Sequence, residues 1–128
     1  MKRVWAAITM LGLAAFPGWA AAHQGMEDEE KVGSEQMITG EVVDLACYLS
    51  EGASGPGHKD CAQKCIASGL PVGIKSGDEI YVAIGSEHGS ANSTLAPLAA
   101  QQVTAEGMVT ERDGVHLIAI KKITPKGG

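Results

Sequence analysis

Beyond residue 36 the chain alternates short apolar runs with polar, glycine-bearing breaks, the rhythm of a small β-domain. The first run, Met37 to Leu49, is rich in strand formers, and Gly40 inside it predicts the bulge or sharp bend that small barrels need. Pro71 to Lys75 and Glu79 to Ile84 flank Ser76-Gly77-Asp78, two strand runs around a tight polar turn, which predicts a hairpin. In the second arm Ile80, Val82 and Ile84 recur at period two and are expected to form the inward side of a half-buried strand.

A polar loop from Gly85 to Asn92, holding His88, leads to a predicted short helix over Thr94 to Ala100, capped by Asn92 or Ser93. Two further strands, Gln102 to Glu111 and Gly114 to Ile123, meet at Arg112-Asp113-Gly114, whose Asp-Gly pair favours a tight hairpin turn. Val103, Ala105, Gly107 and Val109 alternate with Thr104, Glu106, Met108 and Thr110, so one face is expected to be buried and the other wet. Five strands with a short helix between the third and fourth follow the order of an oligonucleotide/oligosaccharide-binding (OB) barrel. The predicted class is therefore all-β with small helical insertions, an OB-like barrel over 37–124; a small open sandwich is the alternative.

The start of the chain has a different character. Lys2 and Arg3 precede an apolar core that Pro17 and Gly18 interrupt, and Ala20-Ala21-Ala22 closes it, which describes a secretory signal peptide over 1–22. That core is shorter than the ~20 residues of a spanning helix, so the mature chain is expected to have no membrane span and to be periplasmic or secreted. Residues 23–36 are polar and acidic and are expected to form a flexible tail; His23, if it became the N-terminus, would offer an amine and an imidazole to copper. Ten Lys and Arg stand against 15 Asp and Glu, and two of the cations leave with the leader. This acidic balance argues against nucleic acid as partner, because such affinity comes largely from cations that neutralise phosphates. Tyr48 and Tyr81, the aromatic candidates of the mature chain, add little to a stacking surface.

All three cysteines lie in one insert between the first and second strands, residues 47–70. From Lys59 to Gly69 the insert reads as a short helix, on which His58, Cys61 and Cys65 are three, four and seven residues apart and share a face. Cys47, placed at the end of the first apolar run, meets that face if the glycine-rich loop from Gly52 to Gly57 folds back. Cys47, His58, Cys61 and Cys65 would then supply four ligands to one metal ion: zinc foremost, with copper or iron as alternatives for a sulfur-rich site. Asp44, Asp60, Glu41 and Glu51 crowd the cluster in sequence, and one of them is expected to accept a hydrogen bond from the His58 ring. His88 and His116, each without converging partners, are expected to serve packing or surface.

Gly40-Glu41-Val42-Val43-Asp44, Cys47, Gly52, Gly55, His58, Cys61, Cys65, Gly69 and Pro71, followed by an OB-like second half, resemble a group of small exported bacterial proteins that carry a Cys…His-x-x-Cys-x-x-x-Cys cluster. The resemblance spans roughly Met37 to Ile123. It implies a compact exported domain with a Cys/His cluster and brings no reaction with it.

An odd cysteine count in an exported chain leaves other arrangements open. A disulfide from Cys47 to Cys61 or Cys65 would staple the insert to the barrel, by ~2 to 4 kcal/mol, and leave one thiol free. Such a stapled module would recognise a protein partner. A thiol-redox role is a third reading, although the Cys-x-x-Cys of thioredoxin-like enzymes is absent, as are Cys-x-x-Cys-His, Gly-x-Ser-x-Gly and His-Glu-x-x-His. The expectation is thus a non-enzymatic domain that handles a metal or serves a redox protein as periplasmic partner.

Overall fold

The computed structural model describes residues 33–127; the signal segment, His23 and most of the acidic tail lie outside the described residues. Five strands close into a barrel in the order β1-β2-β3-β5-β4. They are β1 (Ser34–Asp44), β2 (Val72–Ser76), β3 (Glu79–Gly85), β4 (Gln102–Arg112) and β5 (Val115–Pro125). Neighbours pair antiparallel except β3 and β5, whose parallel ladder from Tyr81↔His116 to Gly85↔Ile120 completes the ring. This is the OB-like barrel of the sequence reading.

One long strand makes closure feasible. Through Glu41, β1 pairs with β4, and from Glu41 to Asp44 it pairs with β2. Gly40 sits where the strand changes partners: a Cβ there would run into the Lys75 carbonyl, so the two backbones approach this closely only at glycine. The bend expected at Gly40 is therefore a corner of the barrel. Ser34 to Gln36, assigned above to the tail, instead pair with Val109, Met108 and Gly107, because β4 is long enough to offer them a ladder.

The core is aliphatic. Val42, Ile74, Leu95, Val103 and Ile118 are fully buried, and Tyr81 is the one ring among them. On β4 the inward row is Val103, Ala105, Gly107 and Val109, as alternation predicts. On β3 it is Tyr81 and Ala83, while Ile80, Val82 and Ile84 are only half-buried, which reverses the expected face. Both faces of β3 are apolar, so period two could not choose between them; the register with β2 and β5 does. Asp113 and Gly114, both at positive φ, turn β4 into β5 in two residues, as the Asp-Gly pair demands.

Helices cover the end of the barrel where β1 finishes. They are α1 (Leu45–Glu51), α2 (Lys59–Ala67) and α3 (Asn92–Leu95), with a 3-10 turn over Ala96–Leu98 after α3. Ala62 and Ile66 of α2 join Leu95, Ala96 and Ala99 in the core. Asn92 does not cap α3 with its side chain. Its amide donates to the carbonyls of Ile66 and Leu70, each at 2.7 Å, and so ties the end of α2 to the next helix. No helix among the described residues is long and apolar enough to cross a membrane.

Candidate metal centre

The run from Met37 to Leu49 is not strand throughout. At Asp44 the backbone is extended, and the buried carboxylate accepts hydrogen bonds from the amides of Ala46 at 3.0 Å and Cys47 at 3.4 Å. A side chain that satisfies these first N–H groups starts a helix, so Cys47 lies in the first turn of α1 rather than at a strand terminus. Gly52, at φ 70°, ends α1 in the left-handed conformation that glycine adopts without strain and donates its amide to the Tyr48 carbonyl. The signal was legible: Asp, seven residues with no breaker, and glycine just past the end.

The return of the chain toward Cys47 depends on β1. Glu41 Oε1 accepts the Gly55 amide at 2.5 Å, which fastens the glycine-rich loop to the barrel wall. Gly55 in turn accepts the His58 amide, and His58 closes a 3-10 turn (Pro56–His58) that leads directly into α2. At the far end the Leu45 amide donates to the Pro71 carbonyl, so both ends of the insert are held together. Glu41, expected beside the His58 ring, thus acts on the loop backbone, and Asp60 and Glu51 are exposed.

These constraints bring all three thiols together. Cys47, Cys61 and Cys65 place their sulfur atoms within 4.8 Å of one another, and all are free. His58 does not join Cys61 and Cys65 within that distance; its ring nitrogen, an Asp44 oxygen and the Cys47 sulfur form a second group within 4.8 Å, so the four expected ligands meet only through Cys47. Cys47 belongs to both groups. His58 Nε2 is buried and has no hydrogen-bond partner, although a buried polar atom normally finds one. His88 is exposed in the turn after β3, and His116 meets the Tyr81 ring edge-on with centroids 5.2 Å apart, so neither joins the cluster.

The electrostatics of the group disfavour bare thiolates. The Cys47 thiol is pushed up to about 12, first by its hydrogen bond to Asp44, then by desolvation and by the charge of Asp44 beside it. Cys65 is also raised, chiefly by desolvation, with Asp44 and Cys61 adding to the effect. Without a cation Cys47 and Cys65 hold their protons. A bound divalent or soft monovalent ion would reverse this, because its charge favours the thiolate and binding releases the proton. Three sulfur donors with an imidazole alongside suit a thiophilic metal, and the donor set does not by itself choose between zinc, copper and iron. Of the four carboxylates expected near the cluster, Asp44 is the one placed beside His58; that it also lies against Cys47 and caps α1 was not foreseen. Its position just before α1 was the clue.

Comparison of the chain with protein-family models, with curated proteins and with solved structures finds no match.

Proposed function

We propose that this chain is an exported, non-enzymatic metal-binding domain, in which Cys47, Cys61 and Cys65 hold one metal ion and His58 completes the ligand set. The observation that carries this reading is the convergence of three free thiols within 4.8 Å on two short helices. The unpartnered His58 Nε2 supports the fourth ligand, since a ligand role gives that buried nitrogen the partner it otherwise lacks. Zinc is the metal proposed first, being four-coordinate with nitrogen and sulfur donors; Cu(I) and iron are the alternatives that thiolates accept.

Accessibility supports a role in metal handling or in service to a redox protein. Cys61 is exposed and Cys47 and Cys65 are half-exposed, so an incoming thiolate from a partner could reach the metal. Leu49, 71% exposed on α1, and Leu70, just past α2, leave apolar side chains exposed on the same insert. The proposed partner is a periplasmic protein.

Elemental analysis combined with native mass of the protein purified from periplasm tests this. One metal per chain and a mass with three reduced cysteines is the expected result. A metal-free chain lighter by the hydrogens of one disulfide would replace the proposal with the stapled interaction module.

A further inference from the structure

The barrel has a second end, where β1 begins, and its lining is of another kind. The inward row of each strand can be followed outward from the core. Ile38 gives way to Gln36, Ala83 to Tyr81 and then Glu79, Val109 to Glu111, and Ile118 to His116. The interior therefore turns from aliphatic to polar within one or two residues on four strands. Gln36, Glu79, Tyr81, Val109, Glu111 and His116 line a cavity of about 250 Å³ that opens to solvent.

The polar groups are ordered by register. His116 lies opposite Tyr81 on one side and Glu111 on the other, and its ring meets that of Tyr81. The Tyr81 hydroxyl donates to Glu79 Oε2 at 2.6 Å. Two carboxylates, a phenol and an imidazole thus edge one concavity, and among the described residues no lysine or arginine lines it. The field is visible in Tyr81, whose hydroxyl is raised above its ordinary value by the hydrogen bond to Glu79, by burial and by the charges of Glu79 and Glu111. Barrel mouths with a largely apolar floor and a few convergent polar groups are recurrent places for small ligands.

We infer that this mouth binds a small organic cation, such as a primary ammonium group carrying a short apolar chain. The carboxylates of Glu79 and Glu111 attract the charge, the Tyr81 and His116 rings present aromatic surface to it, and the apolar side chain of Val109 in the lining accepts the chain. A metal ion is the less suitable occupant. The donor atoms of Glu79, Glu111 and His116 do not form one of the close groups that the thiol cluster forms among the described residues. An anion would meet two like charges. The site is at the opposite end of the barrel from the cysteines and does not depend on their metal.

The test is an NMR titration of the purified chain with n-butylammonium, n-butanol and butyrate, which share a carbon chain and differ in charge. The expected result is a saturable shift of the Tyr81 and His116 ring resonances with butylammonium alone. Glu111→Gln, which leaves the bond between Tyr81 and Glu79 in place, should weaken binding about three- to fivefold, the size of a partly exposed ion pair, and Glu79→Gln should do the same. Thermal melts of both variants show that the barrel is intact. Equal shifts with all three probes, no saturable shift at either ring, or an unchanged affinity in both folded variants would overturn the inference.

Discussion

The barrel wall and the helical insert between β1 and β2 are built on different principles. The wall is held by ladders between residues far apart in sequence and, among the described residues, by a core cluster of uncharged side chains. The insert touches that interior through little more than Ala62 and Ile66, and much of its remaining order comes from a few side-chain hydrogen bonds: Asp44 to the start of α1, Glu41 to Gly55, Asn92 to the end of α2. Stability and chemistry are thereby separated. The sulfurs sit on a segment whose loss of a ligand need not disturb the core, while the core fixes where that segment begins and ends.

The largest test of this contrast is Ile66→Ala, which removes the main anchor of the insert and leaves a void in the core. A loss of about 2 to 5 kcal/mol in urea unfolding is expected, together with weaker metal retention. A variant of unchanged stability would show that the insert does not lean on the core. Asp44→Ala comes next: losing the cap should cost about 1 to 2 kcal/mol, and the Cys47 thiol should fall back toward ordinary values, read as faster alkylation near neutral pH.

The pH dependence of the metal-free protein follows with a definite sign. Cys47 lies at about 12 in the folded chain against 9.0 for a free thiol, so the folded state holds the proton more tightly. Its contribution is complete below 9.0 and is lost as pH rises toward about 12, so stability should decline across that window. Cys47→Ser should flatten the decline, and a slope equal in both proteins would count against the assignment. The smallest effect is expected for Cys61→Ser. Its exposed side chain adds little to the fold, so metal-free stability should move by less than about 0.5 kcal/mol while metal binding drops sharply. A large loss of stability there would mean that the thiols serve the barrel itself.

Much of this architecture is local in origin and could be read along the chain. The β4 face, the Asp-Gly turn, the glycine at the barrel corner and the i, i+4 pairing of Cys61 with Cys65 all follow from residue type and spacing over a few positions. What escaped had a partner elsewhere. The buried face of β3 depended on register, the start of β1 on the length of β4, and the task of Asn92 on carbonyls 22 and 26 residues away. Asp44 illustrates both sides: its capping role is written in the residues that follow it, yet its place against Cys47 and His58 exists only once the loop from Gly52 to Gly57 has folded back.

Residue order alone thus settled which side chains were available for chemistry and which short segments would be helix, strand or turn, because propensity and periodicity act over neighbouring positions. Convergence was decided in three dimensions. Bringing Cys47 to Cys61 and Cys65, turning His58 toward Asp44 and gathering Glu79, Tyr81, Glu111 and His116 at one rim each require a closed sheet, whose pairing energy depends on strands that the linear pattern does not order.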